Sequence, residues 1–129
     1  MGADINPPTS PPTSSQFVFV QTNVTKWADL CALFKKAKEQ HGRIDYVFAN
    51  AGVGPRANYL AIENDANGDL VEPSTETIDV NQKSVLNTAV IAVHFMKEQA
   101  EGGSIVLMGS SIGLARARAV DYCKFEPER

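Results

Sequence analysis

The sequence has few of the features that mark specialised classes of protein. Its two cysteines, Cys31 and Cys123, lie far apart and match no metal-ligand spacing, so we expect the reduced thiols of a cytoplasmic protein and no metal site. No run of about 18 or more apolar residues occurs, so no helix is expected to span a membrane. The net charge of −3 offers no basic face for nucleic acid. The first residues, Met1–Asp4, lack the basic and apolar segments of a secretory signal.

What the sequence does contain is typical of one globular domain preceded by a polar arm. Of its 129 residues, 43% are apolar and 21% are charged, which are ordinary values for such a domain. Residues 1–16 differ from the rest because they contain Pro7-Pro8 and Pro11-Pro12 among several Ser and Thr residues. Such a stretch buries little apolar surface, so we expect 1–16 to be a disordered arm and 17–129 to be the folded domain.

Three short apolar runs and two helical patterns alternate along this domain. The strands are predicted at Phe17–Val20, Ile44–Ala49 and Ser104–Met108. The first helix is predicted between Thr25, as its N-cap, and Gly42, and the longer second helix between Ser74 and Glu98. This alternation favours an α/β fold with a parallel sheet and right-handed helical crossovers.

Each helical pattern has a predicted buried face. In the first helix this face consists of Trp27, Leu30, Phe34 and Ala37. In the second it consists of Ile78, Val85, Leu86, Ala89, Val90, Val93 and Met96. The polar loop 53–73 between them contains Asn64–Asp69, which loosely resembles the start of a calcium loop, but the required spacing and the distant Glu are not both present. We therefore predict no metal in this loop.

A set of short motifs follows these elements in a fixed order. They are Asn23-Val24-Thr25, Gly42-Arg43-Ile44-Asp45, Asn50-Ala51-Gly52, Asp79-Val80-Asn81, Gly103-Ser104-Ile105-Val106 and Ser110-Ser111. In this order they resemble the short-chain dehydrogenase/reductase family, over about residues 17 to 115. The segments Gly68–Pro73 and Leu86–Thr88 are most similar to its fungal 15-hydroxyprostaglandin-dehydrogenase-like members. The resemblance implies a partial Rossmann-like sheet, an NAD or NADP cofactor and a small alcohol or ketone substrate.

The resemblance also places cofactor-binding residues after two of the strands. Asn23, followed by Val24, matches the position of an acidic residue near the adenine, and an Asx turn at the start of the helix is the alternative role for Asn23. Asn50, Ala51 and Gly52 match the motif that lines the cofactor pocket. A structural turn with a backbone-bonded Asn is the alternative there.

Three positions match the catalytic residues of the family. Asn81 matches a helix Asn that holds a water in the proton relay, and Tyr122 matches the Tyr that transfers the proton. Ser110 matches the Ser that orients the substrate carbonyl and stabilises the developing oxyanion. The alternatives are structural, namely a buried amide with a partner at Asn81 and a hydroxyl that caps backbone groups at Ser110.

The family pattern is interrupted on both sides of the matched region. A Lys four residues after the Tyr would assist proton transfer, but that position is Glu126, and Lys124 lies only two residues on. Pro127 opposes a helix through this segment. No Gly-x-x-x-Gly-x-Gly turn for the pyrophosphate occurs. We therefore expect a chain truncated at both ends, lacking the first two strands and weakened in NAD(P) binding.

Two functions of different classes are predicted. The first is an oxidoreductase of the short-chain dehydrogenase/reductase type that acts on a secondary alcohol or ketone and is impaired by truncation. The second is a non-catalytic fragment or oligomerisation module, since the long helix, residues 75–98, packs against a partner subunit in the family. A gene product that does not fold is a third alternative. Without its neighbours, Phe17–Val20 is expected to move beside Ile44–Ala49 or to pair weakly.

Overall fold

The computed structural model describes residues 1–10, 12–14, 16–59, 61 and 63–111, and from Phe19 onward strands and helices alternate as predicted. The strands are β1 (Gly2–Asp4), β2 (Phe19–Gln21), β3 (Tyr46–Ala49) and β4 (Ser104–Leu107). The helices are α1 (Trp27–His41), α2 (Glu76–Ile78) and α3 (Ser84–Met96), with a π-helical turn, Asp79–Lys83, between the last two. No helix in the described ranges is long and apolar enough to cross a bilayer.

The strands form two parallel pairs. In one pair β3 lies beside β4, with Tyr46 opposite Ser104 and Ala49 opposite Leu107. Both strands contact α3, which lies in the crossover between them. Short apolar runs of this kind are typical of parallel strands with a covering helix. The carboxyl ends of β3 and β4 therefore lie side by side, as the predicted α/β fold requires.

The other pair differs from the expectation of a disordered arm at residues 1–16. Gly2–Asp4 form β1, which runs parallel to β2, and Gly2 N–H donates to Val18 O at 2.9 Å. The ring of Phe17 lies over Gly2, where a Cβ would come within 2.8 Å of it, so a residue with a side chain does not fit without a shift. Gly, Ala and Asp favour strands weakly, and only non-local pairing identifies this strand. β2 thus pairs with β1 and does not move beside β3.

The first helix ends as predicted but begins slightly later. The N-cap position is Lys26 rather than Thr25, and no side chain makes a capping hydrogen bond there. At the other end Gly42 has φ 72°, in the left-handed region that favours glycine. Its N–H donates to Lys38 O at 2.8 Å, which closes the last turn.

One apolar core joins α1, α3 and the β3–β4 pair. Its buried members are Leu30, Phe34, Ile44, Ile91, Ala92 and Met96. The rings of Phe34 and Phe95 stack with their centroids 5.9 Å apart and so connect α1 to α3. Trp27, predicted for the same face of α1, lies in the first turn and is 51% exposed. The core therefore depends on the middle of α1 rather than on its start.

The predicted long helix forms, but with a different buried face. α2, the π-helical turn and α3 continue without interruption from Glu76 to Met96. Of the predicted buried face, Met96 is buried, whereas Ile78, Leu86, Val90 and Val93 are exposed. The other buried residues of α3 are Ser84, Ile91 and Ala92. Because α3 is apolar on nearly every side, periodicity alone does not select its buried face. The π-helical turn also shifts the register of the residues before it.

Candidate functional site

The carboxyl ends of β3 and β4 lead directly into two of the predicted motifs. Because Ala49 lies opposite Leu107, the chain leaves both strands at the same edge of the sheet. Asn50–Gly52 follow β3 and Ser110 follows β4, and all of these residues are exposed. Ligands of open α/β sheets bind outside the carboxyl ends of the strands, so this edge is the candidate site.

Asn81 holds the loop that follows Gly52. Its Oδ1 accepts a hydrogen bond from Val53 N–H and its Nδ2 donates to Val53 O, both at 2.8 Å. The buried Thr77 adds a longer hydrogen bond from its hydroxyl to Gly54 O, at 3.4 Å. Asn81 is half-buried in the π-helical turn, and such turns are frequent at functional sites. Both ends of its amide are bonded to one peptide unit, so this side chain positions the loop.

The backbone at Gly52 is open. Its φ lies outside the left-handed region, which among the described residues is occupied only at Gly42, Gly68 and Gly102. A Cβ placed on Gly52 would have one neighbour within 4 Å, the Oδ1 of Asn81 at 3.4 Å. The turn therefore does not require glycine here. What the missing side chain provides is room for a ligand to approach the backbone.

Asn23, after β2, makes the Asx turn that the sequence left as one of two alternatives. Its Oδ1 accepts hydrogen bonds from the N–H of Thr25, at 3.0 Å, and from the Thr25 hydroxyl, at 2.7 Å. Its own N–H donates to Asp29 Oδ2 at 3.1 Å. Val24 packs against the apolar core. The side-chain oxygen of Asn23 is thus hydrogen-bonded at the start of α1. A contact with an adenine would therefore be made by the side-chain Nδ2.

Asp4, the last residue of β1, is a further candidate that the sequence alone did not reveal. It lies opposite Gln21 at the carboxyl end of a parallel strand pair, and it is exposed. Its Oδ1 accepts a hydrogen bond from Asn6 N–H at 2.9 Å. In dinucleotide-binding folds an acidic side chain hydrogen-bonds the ribose 2′-hydroxyl. The only sequence signal was a lone acid in a segment predicted to be disordered, so the pairing of β1 with β2 is what reveals it.

Asp79 adds a fixed negative charge to the helix that carries Asn81. Its Oδ2 accepts a hydrogen bond from the Thr75 hydroxyl at 3.0 Å, and Lys83 Nζ lies 3.3 Å from its Oδ1. The hydrogen bond from Thr75, and then Lys83, hold the pKa of Asp79 below its ordinary value. The carboxylate therefore stays ionised at neutral pH and supports the start of this helix.

The structure places some of the predicted catalytic residues and not others. Ser110 is at the candidate edge, and Asn81 is bonded to the loop that borders it. Tyr122 lies outside the described residues, as do Lys124 and Glu126. The described edge offers amides, a hydroxyl and open backbone, which can orient a polar ligand by hydrogen bonding. In the ranges described, no group of three or more His, Cys, Asp and Glu side chains is placed to hold a metal ion.

Comparison with known sequences points to one family. The family described as short chain dehydrogenase matches residues 9–123. The chain is 53% identical over 122 residues to the short-chain dehydrogenase/reductase ascJ of Acremonium egyptiacum, a match that covers 92% of this chain and 41% of ascJ. It is 38% identical over 112 residues to the short-chain dehydrogenase/reductase prx4 of Penicillium rubens, covering 87% of this chain and 33% of prx4.

Solved structures of similar proteins have the same fold. A short chain dehydrogenase/reductase from Burkholderia phymatum in complex with NAD matches with a TM-score of 0.63 and 28% identity, over 79% of this chain and 34% of that one. The protein gox2181 matches with a TM-score of 0.63 and 25% identity, over 81% of this chain and 39% of that one. The predicted Rossmann-like α/β class is confirmed. The chain spans 41% of ascJ and 33% of prx4, so it corresponds to a part of these longer proteins.

Proposed function

The chain belongs to the short-chain dehydrogenase/reductase family, and we propose that it forms the nucleotide-binding part of an NAD-dependent oxidoreductase acting on a secondary alcohol or ketone. The observation that carries this proposal is the parallel pairing of β3 and β4, which brings Asn50–Gly52 and Ser110 to one edge. The likeness to fungal 15-hydroxyprostaglandin-dehydrogenase-like members stays a prediction, and so does a cytoplasmic location.

The residues at the strand ends fit a dinucleotide. Gly52 presents exposed backbone with open space beside it, which suits the close approach of a flat ring or a ribose. Asn50 is exposed next to it, and the Nδ2 of Asn23 is available for one hydrogen bond. The sequence contains no glycine-rich turn for the pyrophosphate.

Asp4 favours NAD over NADP. A carboxylate at the end of β1 can accept hydrogen bonds from the ribose hydroxyls of NAD, whereas it repels the 2′-phosphate of NADP. The sequence alone leaves the choice between NAD and NADP open, because no strand beside β2 is predicted from it. Replacement of Asp4 by Ser is expected to narrow the difference between the two affinities, measured by titration of both nucleotides.

The chemistry is divided between the cofactor and the chain. A bound nicotinamide supplies hydride transfer, and the protein supplies orientation and proton transfer. In our proposal Ser110 donates a hydrogen bond to the substrate oxygen and stabilises the negative charge that develops there. Asn81 keeps the loop after β3 in place. Tyr122 moves the proton, and because Glu126 stands where a Lys would assist it, turnover is expected to be slow.

The test is a titration with NAD in which ligand-observed NMR measures the binding. It compares the wild type with two glycine variants. Gly52→Ala adds a methyl group whose one neighbour within 4 Å is the Oδ1 of Asn81, at 3.4 Å, so the fold tolerates it. Gly54→Ala is the matched control, because a Cβ there meets nothing within 4 Å. We expect millimolar NAD binding that Gly52→Ala weakens about ten-fold and Gly54→Ala leaves unchanged. No binding at millimolar NAD, or equal effects of both variants, would contradict the proposal.

A role as an oligomerisation module is the second candidate, and one observation favours it. Leu86, Val90 and Val93 form an apolar stripe along α3 and are 60%, 61% and 54% exposed. Apolar side chains at such helical spacing suit an isologous contact between two copies of the helix. Sedimentation equilibrium should then show dimers that Val90→Lys dissociates. A monomer at all concentrations would remove this candidate.

A further inference from the structure

The π-helical turn Asp79–Lys83 changes the hydrogen-bonding pattern of the long helix. Before it, Asp79 N–H donates to Thr75 O, four residues back, as in an α-helix. After it, Ser84 N–H donates to Asp79 O, five residues back. Val80 O therefore does not receive the N–H of Ser84, which is the donor that a regular α-helix would give it. A backbone carbonyl of the helix then needs another donor.

The Ser84 hydroxyl is that donor. It donates a hydrogen bond to Val80 O, so the side chain takes the place of the N–H that the π-helical turn has diverted. Ser84 is 2% exposed, and a hydroxyl buried to this degree needs a protein partner because water does not reach it. In a regular α-helical turn the hydroxyl would compete with the Ser84 N–H for the same carbonyl. The hydroxyl therefore favours the π-helical turn over an α-helical one.

The π-helical turn also sets the direction of the side chains before it relative to those after it. One extra residue in a turn corresponds to about 100° of rotation around the helix axis. Asn81, within the turn, bonds both the N–H and the C=O of Val53. Ile91 and Met96, beyond the turn, pack in the apolar core. If the turn became α-helical, one of these two sets of contacts would rotate away from its partners, so the contact with the loop depends on the turn.

We propose that Ser84 is a positioning residue of the candidate site. Its hydroxyl stabilises the π-helical turn, the turn directs Asn81 toward the loop, and Asn81 fixes Val53 next to the exposed backbone of Gly52. Ser84 thus acts through Asn81 and not by contact with a ligand. The consequence for NAD binding rests on the function proposed above, whereas the coupling of Ser84 to Val53 does not.

The first test measures amide hydrogen exchange in the isotope-labelled chain and needs no ligand. Val53 N–H reports the contact with Asn81. Ile44 N–H is the internal reference, because it donates to the side-chain oxygen of Gln99 at 2.8 Å, a bond of the same kind at the opposite end of β3. Ser84→Ala is expected to speed exchange at least about five-fold at Val53 and less at Ile44. Equal acceleration of both amides, or no change at Val53, would overturn the proposal.

Two further variants separate the hydroxyl from the other properties of Ser84. Ser84→Thr keeps a hydroxyl that can donate to the carbonyl four residues back, so it should restore slow exchange at Val53. Thr88→Val removes a hydroxyl one turn further along α3, beyond the π-helical turn, and should leave Val53 unchanged. If Ser84→Ala loses its helical circular dichroism signal, Ser84→Cys replaces it, and a smaller acceleration is expected because a thiol is a weaker donor. Equal effects of the Ser84 and Thr88 variants at Val53 would overturn the proposal.

The second test is a titration with NAD in which ligand-observed NMR measures the binding. Ser84→Ala is expected to weaken binding at least about three-fold, and Thr88→Val is expected to leave it unchanged. If the wild type binds no NAD, the proposed function fails, while exchange at Val53 still decides whether Ser84 positions the loop. An unchanged NAD affinity in Ser84→Ala, together with faster exchange at Val53, would overturn the assignment of Ser84 to the candidate site.

Discussion

At the scale of single residues, Asn81 is the side chain on which the loop of the candidate site depends. Replacing it by Ala leaves both Val53 N–H and Val53 O without their partner, so we expect a loss of about 1 to 3 kcal/mol in the free energy of unfolding. Urea denaturation measures this loss. The exposed neighbour Gln82 is the control, and Gln82→Ala should change the stability by less than about 0.5 kcal/mol.

The variant Asn81→Asp tests the same contact through pH. The ionised carboxylate of the variant can accept a hydrogen bond from Val53 N–H, but its second oxygen then faces Val53 O, which is also an acceptor. The protonated form can instead donate a hydrogen bond to Val53 O. Because the ionised carboxylate and Val53 O are two facing acceptors, we expect the variant to be less stable relative to the wild type at neutral pH than at acid pH. A variant whose stability relative to the wild type does not fall between acid and neutral pH would contradict the bidentate contact.

At the scale of elements, the turn around Asp65 is held by one carboxylate. Asn64 bridges to Leu70, and the Asp65 carboxylate accepts the backbone N–H of Asn67, at 2.8 Å, and of Asp69, at 3.0 Å. The hydrogen bond from Asp69, and then that from Asn67, hold the pKa of Asp65 below its ordinary value. The contribution of this turn is therefore present above the unfolded pKa and is lost as pH falls through the lowered, folded pKa.

We expect the amide signals of Asn67 and Asp69 to move toward their unfolded positions in this acid range, followed by NMR from neutral to strongly acid pH. Asp65→Asn cannot ionise, and it should remove the transition. Asp69→Asn should keep it, because Asp69 joins this turn through its backbone N–H. A transition that survives in Asp65→Asn would assign the acid response to another group.

The individual helices and strands show how much of this fold the sequence predicts. β3 and β4 were predicted within one or two residues because each is a short apolar run between turn residues, and Gly42 ends α1 because only a left-handed residue fits there. β1 was missed because its three residues, Gly2–Asp4, become a strand only through pairing with a distant segment. Asp4 was missed as a candidate for the same reason, because the sequence alone did not show that it lies at the end of a strand. The buried face of the long helix was predicted only in part, with Met96 correct, because an almost uniformly apolar helix carries no periodic signal.

At the scale of the whole molecule, the chain exposes more surface than its mass requires. Its accessible surface is 9833 Å², whereas a compact monomer of 14.0 kDa exposes roughly 6,700 Å². The exposed face of the β3–β4 pair, with Tyr46, Phe48 and Val106, and the apolar stripe of α3 both contribute to this difference. An excess of roughly 3,000 Å² is comparable to the area that stable partners bury. Part of this excess would be removed if these two apolar faces were covered.

The area of surface that unfolding exposes determines how steeply the free energy of unfolding falls with urea concentration. The unfolded chain exposes roughly 20,300 Å², so unfolding uncovers roughly 10,500 Å² here and roughly 13,600 Å² for a compact domain of the same mass. Because the urea m-value scales with the surface exposed on unfolding, we expect an m-value of about three quarters of that of a compact 129-residue domain. An m-value equal to that of a compact domain in the isolated, monomeric chain would mean that these apolar faces are covered in solution.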